Sequence, residues 1–207
     1  MKKINKVIFA LALLVVVFVF HSISVARKQT AINIGNYMPY GEIPSNYTLE
    51  NAKSDRLVVY ENGSITAGQA EWDEFISHTE NGTPCMVRLA FYYTLDDSTH
   101  YSPEHYEEIK DNYPCLYIQD LTYNGKTYAL YFTEDEKKYI YERKYLKRFD
   151  ETEPTETSLV VPGIYYYLVN DNEVSCEQII KSMFGSSDPS IFIECKKVYS
   201  KYACKDQ

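Results

Sequence analysis

The sequence predicts an α+β domain: a mainly antiparallel sheet of about five to six strands with two to three helices on one face. An N-terminal transmembrane or signal helix is predicted to precede it. Three observations lead to this prediction. Alternating apolar runs flank Asn124-Gly125, helix-capping patterns open apolar stripes of helical spacing, and a long apolar stretch follows three lysines at the N-terminus.

Residues 1–26 have the composition of an export signal or a membrane anchor. Three lysines precede fourteen uninterrupted apolar residues, Val7 to Phe20. Extended to Ala26, the span is long enough for one helix across roughly 30 Å of hydrocarbon. Cleavage near Ala26 stays open, but the lack of Gly or Pro before that site favours an uncleaved anchor. The basic residues before the span favour an N-terminus inside the cytoplasm and a domain outside it.

The chain is acidic, with 29 acidic and 21 basic residues and a net charge of −8. Three of the lysines lie in residues 1–26, so the remainder has 18 basic against 29 acidic residues and a net charge of −11. Such a surface repels phosphate backbones, which argues against nucleic-acid binding. Basic partners and divalent cations stay compatible with it, and the sequence indicates no particular oligomeric state.

Residues 27–54 are predicted to be a spacer, and residues 55–207 a single extracytoplasmic α+β domain. The spacer mixes Asn, Ser, Gly and Pro with isolated apolar residues and lacks a sustained period. The first strand is predicted from Arg56 to Tyr60. Thr66-Ala67-Gly68-Gln69 has the pattern of a capping box and predicts a helix that runs to about Thr79.

The next two elements are a strand and a helix. Residues Pro84 to Leu95 are mostly apolar, which predicts a central strand. Ser102 is the predicted N-cap of a second helix, with Pro103 at its first position, and this helix runs to about Asp111.

A three-stranded antiparallel meander is predicted for residues 115–149, which follow Pro114. Asn-Gly tolerates the positive φ of a type I′ turn, so we expect a two-residue hairpin loop in which Leu121 faces Tyr128. Alternation then separates a buried face from an opposite face. The predicted buried face carries Tyr117, Leu121, Tyr123, Tyr128, Leu130 and Phe132. The opposite face carries Ile118, Asp120, Thr122, Thr127 and Ala129.

The C-terminal third follows an acidic connection over residues 150–157. Residues Ser158 to Val169 predict a strand pair or a bent strand, in which Pro162 indicates an edge or a bulge. Ser175-Cys176-Glu177-Gln178 predicts a capping box, which opens a helix that ends before Gly185. Residues 190–199 predict a last strand.

Several short segments between Leu57 and Phe132 carry a resemblance to a known family. They are Leu57-Val58-Val59, Asn62-Gly63-Ser64-Ile65, Phe75, Val87-Arg88, Tyr93-Thr94 and Asp120-Leu121-Thr122-Tyr123-Asn124-Gly125. This pattern resembles a domain-of-unknown-function family of small secreted or membrane-attached proteins from Gram-positive bacteria. The resemblance implies an exported envelope protein, and it supplies no active site.

One dense group of potential metal ligands or acid–base residues surrounds the second predicted helix. It consists of Asp96, Asp97, His100, Glu104, His105, Glu107 and Glu108. Glu104 and Glu108 share a helix face, but the sequence lacks the two-histidine spacing of a zinc-binding helix. We therefore expect a solvated helix start whose acids complement the helix dipole. We assign no catalytic, cofactor-binding or metal-binding residue.

The five cysteines belong to a domain that we place outside the cytoplasm, where disulfides form. Their odd number leaves at least one unpaired. Cys176, Cys195 and Cys204 are the candidates for a C-terminal bridge. Cys85 and Cys115 are expected to be small buried strand residues.

Together these features predict a membrane-tethered or secreted envelope protein, bound to the lipid bilayer through residues 1–26. Its domain is predicted to be non-catalytic and to bind a protein or envelope component through an exposed sheet face, on which Tyr131 lies. Two alternatives stay open. One is a metal-dependent or hydrolytic enzyme that uses the region from His100 to Glu108, and the other is an inhibitor or immunity-type protein, which a small acidic domain suits.

Overall fold

The computed structural model describes residues 31–151, 161–184 and 192–202. These residues contain ten strands and four α-helices. In chain order they are β1 (Ile32–Asn33), α1 (Leu49–Ser54), β2 (Val58–Glu61), β3 (Ser64–Ala67), α2 (Gln69–Glu80), β4 (Cys85–Tyr93), α3 (Pro103–Ile109), β5 (Cys115–Tyr123), β6 (Tyr128–Glu134), β7 (Lys137–Arg143), β8 (Tyr145–Glu151), β9 (Gly163–Val169), α4 (Cys176–Phe184) and β10 (Lys196–Tyr202). The predicted α+β class is confirmed.

The larger sheet is mixed and has seven strands, in the order β3-β2-β4-β5-β6-β7, with β1 also paired to β4. Strands β1 and β2 run parallel to β4, and the other pairs are antiparallel. The strand pairs are mainly antiparallel, as predicted, but the predicted single sheet of five to six strands with two to three helices is wrong in number, because the described residues form two sheets and four helices. The connection from β2 to β4 passes through β3 and α2, and a crossover of this length permits parallel pairing.

A second, three-stranded antiparallel sheet has the order β10-β9-β8. The predicted meander is confirmed for β5, β6 and β7, but its last run divides at Lys144, after which β8 joins this second sheet. Pro162 lies just before β9, which is the middle strand, so neither an edge position nor a bulge is needed to accommodate it. Strand β10 begins at Lys196, later than predicted. Residues 158–160 lie outside the described residues.

The hairpin between β5 and β6 has a four-residue loop in place of the predicted type I′ turn. Tyr123 pairs with Tyr128, and Leu121 pairs with Leu130. The Asn124 side-chain oxygen accepts bonds from two main-chain N–H groups of the loop, each at 2.9 Å, and Gly125 adopts a φ of +93°. The register differs from the predicted one by two residues, so every side chain keeps its predicted face.

The core lies on the predicted face of the larger sheet. Leu121 and Leu130 are fully buried there against Trp72 and Phe75 of α2. Tyr117 is an exception, because half of its surface is exposed. Tyr117 is paired with Phe91 of β4, but the pairing of β5 with β6 stops at Gln119, so β6 does not cover the Tyr117 ring.

The opposite face of the sheet is covered by residues 31–57, most of which were predicted to be a spacer. Within this covering segment, β1 pairs with β4, and Tyr37 and Ala52 are buried against Val59 and Ala90. This part of the chain is therefore a layer of the fold. Strand β4 is central, as predicted, and it is buried on both faces.

The helix boundaries follow the predictions, whereas one cap differs. Ser102 caps α3, and Ser175 and Gln178 form the predicted capping box of α4. Helix α2, however, has Gly68 as its N-cap, with a φ of +79° and no side-chain capping bond. A Cβ atom at this glycine would lie 2.2 Å from a main-chain carbonyl oxygen, so the close approach of α2 to β2 requires glycine.

No helix of the described residues combines the length and the apolar character needed to cross a membrane. The predicted anchor or signal, residues 1–26, lies outside the described residues.

Candidate functional site

The histidine-containing group predicted as an alternative site lies in and around a short turn and α3. His100, Glu104, His105, Glu107 and Glu108 are all exposed, as are Asp96 and Asp97. Their contacts are surface ion pairs such as His105 Nδ1 to Glu108 Oε2 at 3.7 Å. None of these residues lines a cavity described below, and the described residues contain no group of three potential ligands that could hold a metal ion.

The cysteines of the described residues are all unbridged. Cys85 and Cys176 are buried, and burial raises the pKa of their thiols to about 12 and about 11, respectively. Such thiols stay protonated at neutral pH and are poor nucleophiles. Cys115 and Cys195 are half-buried. Because Cys176 and Cys195 are unbridged, the predicted C-terminal bridge does not join these two residues. Cys204 lies outside the described residues, so a bridge that involves it stays a prediction.

On the face opposite the core, the described residues leave part of the sheet uncovered. The covering segment buries side chains of β2, β4 and β5, but the same face of β6 and β7 presents Tyr131, Thr133, Lys138 and Ile140 to solvent. Tyr131 pairs with Ile140, and Thr133 pairs with Lys138. We call these four side chains the open face. Ile140 is 60% exposed and Tyr131 is 37% exposed, so two large apolar side chains lie side by side in solvent.

A cavity of about 290 Å³ adjoins the open face where the covering segment ends. It is lined by Tyr40, Ile43, Pro44, Ser45, Tyr47, Leu116, Tyr117, Ile118 and Thr133. The Tyr40 hydroxyl donates to the main-chain oxygen of Ile118 at 2.8 Å and holds the covering segment against β5. Thr133 belongs to both the cavity and the open face, so the two surfaces are continuous.

A buried ion pair lies under the covering segment, and sequence reasoning missed it. Arg88 of β4 and Asp120 of β5 are direct cross-strand neighbours. Nε of Arg88 donates to Oδ1 of Asp120 at 2.6 Å, and Nη2 donates to Oδ2 at 2.9 Å. The guanidinium also lies 5.3 Å from the ring centre of Tyr37 and 5.7 Å from that of Tyr40. A single arginine in the otherwise apolar run of β4 was the available signal.

A second cavity, of about 350 Å³, borders this ion pair and is called the Arg88 cavity here. Arg88, Tyr37, Tyr47, Asp55 and Arg56 contribute its polar groups. The Tyr47 hydroxyl donates to Oδ2 of Asp55 at 2.8 Å. Burial raises the pKa of Tyr37 to about 12, so its hydroxyl remains a donor at neutral pH, and it bonds to the main-chain oxygen of Arg56.

Comparison of the chain with protein-family models, with curated proteins and with solved structures finds no match. The resemblance to an envelope-protein family therefore stays a prediction, and function has to be inferred from the residues themselves.

Proposed function

We propose that this chain is a non-catalytic, membrane-tethered domain outside the cytoplasm that binds a protein or envelope component through its open face. Strands β6 and β7, whose non-core face the described residues leave uncovered, carry the proposal. On β4 and β5 the chain covers the non-core face with its own covering segment, whereas on β6 and β7 it leaves Tyr131 and Ile140 in solvent. Large apolar side chains left in this way are typical of protein-interaction surfaces.

The open face and the adjoining cavity supply the parts that interfaces use. Tyrosine and isoleucine provide apolar contact area, and Thr133 and Lys138 provide polar groups at the margin. The 290 Å³ cavity can accept one anchoring side chain of a partner, and anchors of this kind contribute much of the affinity of an interface. The net charge of −11 over residues 27–207 favours a partner with a basic surface, because opposite charges accelerate encounter.

Placement outside the cytoplasm is supported by the amino-acid sequence of residues 1–26. Three lysines followed by a twenty-residue span ending at Ala26 suit an uncleaved anchor with the C-terminal domain outside the cell membrane. Cleavage near Ala26 would instead release a secreted protein with the same open face.

The two alternative functions differ in the support that they receive. The enzyme alternative needs the His100 to Glu108 region to converge on a cleft, but these side chains are exposed and separate from the described cavities. The inhibitor or immunity-type alternative is favoured by the acidic charge, and it would use the same open face against one basic protein.

Site-specific photo-crosslinking in the native cells tests the proposal. A benzophenone amino acid is placed at Ile140 on the open face and, as a matched control, at the exposed Glu104 of α3. We expect one discrete adduct from position 140 and none from position 104, and we expect Tyr131→Ser to remove the adduct without unfolding the protein. Equal patterns from both positions, or no adduct from position 140, would show that the open face has no partner.

A further inference from the structure

The Arg88 cavity has the size and the polar groups of a small-molecule site. Its volume of about 350 Å³ lies at the small end of the range for ligand pockets, roughly 300 to 1,000 Å³. This size suits a compound with the dimensions of an amino acid. The cavity lies within the covering segment, so this inference does not depend on a partner at the open face.

Arg88 offers unused hydrogen-bond donors at this cavity. The residue is only 2% exposed, but Nη1 is not among the fully buried, unpartnered side-chain atoms of the described residues, so solvent can reach this group. Both of its side-chain bonds within the described residues go to Asp120, through Nε and Nη2. The Nη1 group has no acceptor there, and a carboxylate is the ligand group that satisfies such donors best.

Arg56 lies at the same cavity in a backbone conformation that normally selects glycine. Helix α1 ends in a Schellman motif, in which Leu57 N–H donates to the oxygen of Ala52 and Arg56 N–H donates to that of Lys53. Arg56 has a φ of +62° at the position where glycine is usual. Its side chain bonds to Glu71 at 2.6 Å, which explains part of this choice, and it also places a second guanidinium at the cavity.

Asp55 supplies the opposite charge. Tyr47 donates to its Oδ2 atom, whereas Oδ1 has no donor among the described residues. Each arginine is already paired with a carboxylate outside the cavity, Arg88 with Asp120 and Arg56 with Glu71. A simple anion could use Nη1 of Arg88 but would lie near the negative charge of Asp55, and a simple cation could use Asp55 but not Arg88. A ligand that carries both charges fits both groups.

We propose that the Arg88 cavity binds a small zwitterion of the amino-acid class, with the ligand carboxylate on Nη1 of Arg88 and the ligand ammonium on Asp55. Tyr37 and Tyr47 contribute aromatic walls to the cavity. Gly35, Asn36, Met38, Ser54 and Leu57 line the rest of the cavity, which therefore offers both polar and apolar contacts to the ligand side chain.

Ligand-dependent thermal unfolding of the full 207-residue chain in detergent tests the proposal, with the fluorescence of Trp72, the only tryptophan, as the signal. The probes are the amino acids other than tryptophan, whose own fluorescence would mask that of Trp72, at up to about 10 mM, which covers the weak affinities expected of such small ligands. The strongest stabiliser is then compared with its deaminated and decarboxylated analogues. We expect a saturable rise in the unfolding midpoint for that amino acid, and an affinity about tenfold weaker for each analogue.

Three variants locate the effect. Arg88→Met/Asp120→Leu replaces the ion pair with apolar residues and should abolish the response while the domain stays folded. Asp55→Asn should weaken binding of the amino acid but leave that of the deaminated analogue unchanged. Arg148→Gln, an exposed control outside this cavity, should behave like the parent protein. The proposal is overturned if no amino acid shifts the midpoint, if the three compounds bind equally, or if the folded double variant still responds.

Discussion

Arg88→Met would remove one half of the buried ion pair and leave Asp120 without its two charge-assisted hydrogen bonds. Both residues are nearly inaccessible, at 2% and 6% exposure, so Asp120 would be poorly solvated without the guanidinium. Breaking a buried pair by removing one partner costs about 3–5 kcal/mol. The double variant Arg88→Met/Asp120→Leu removes both charges, and we expect its stability to lie within about 1 kcal/mol of the parent.

Urea unfolding followed by Trp72 fluorescence measures this cycle, because the indole is fully buried in the core between the two sheets. The coupling free energy between positions 88 and 120 should be about 3 kcal/mol or more in favour of the pair. The slope of the unfolding free energy against urea concentration should be the same for every variant, because each exposes the same surface on unfolding. A loss below about 1 kcal/mol for Arg88→Met, or equal losses in the single and double variants, would refute the assignment of a buried, mutually dependent pair.

Three further predictions concern the fold. Gly68→Ala should lower the free energy of unfolding by at least about 2 kcal/mol, because the new methyl group would lie 2.2 Å from a main-chain oxygen. Gly63→Ala, at a glycine with a similar φ and open space around it, should lower it by about 1 kcal/mol. Thermal unfolding compares the two variants. Ser175→Ala should lower the unfolding free energy in urea by about 1 kcal/mol through loss of the capping box, and an unchanged value would contradict the cap. Burial raises the pKa of Cys85 to about 12 and that of Cys176 to about 11, from 9.0, so their contribution to stability is complete below pH 9 and is lost as the pH rises through these values. A Cys85→Ala/Cys176→Ala variant should show a flatter loss of stability between pH 9 and pH 12, and an identical profile would contradict this origin.

The elements that the sequence predicts correctly are those with local signals. The meander of β5, β6 and β7 follows from alternation around Asn124-Gly125, and α3 and α4 follow from Ser102 and Ser175 at their N-caps. The hairpin register was wrong by two residues because the Asn124 side chain stabilises a wider loop. Alternation has a period of two, so this error left the buried face correct.

The covering segment could not be predicted because its structure depends on distant parts of the chain. Strand β1 has only two residues, and it exists by pairing with β4. Tyr37 and Tyr40 are held through hydroxyl bonds to main-chain oxygens, and in the case of Tyr40 the acceptor is 78 positions away. A segment of this kind has the composition of a spacer until the sheet that it covers is known.

The candidate sites also combine features that have local sequence signals with features that depend on distant residues. Tyr131 on the open face follows from alternation alone, whereas the exposure of Ile140 depends on where the covering segment ends. Arg88 was visible as a charge within an apolar strand, and burial requires such a charge to have a partner. Its partner, Asp120, could be identified only from the cross-strand register between β4 and β5.

Amine labelling of intact native cells with a membrane-impermeant reagent, followed by mass spectrometry of the chain, tests whether the domain lies outside the cytoplasm with a partner on its open face. We expect that Lys181, which is exposed on α4, is modified in intact cells, whereas Lys138 on the open face is protected by the bound partner. After purification, both lysines should react to similar extents. Modification of neither lysine before lysis would contradict the placement outside the cytoplasm, and equal modification of both in intact cells would contradict an occupied open face.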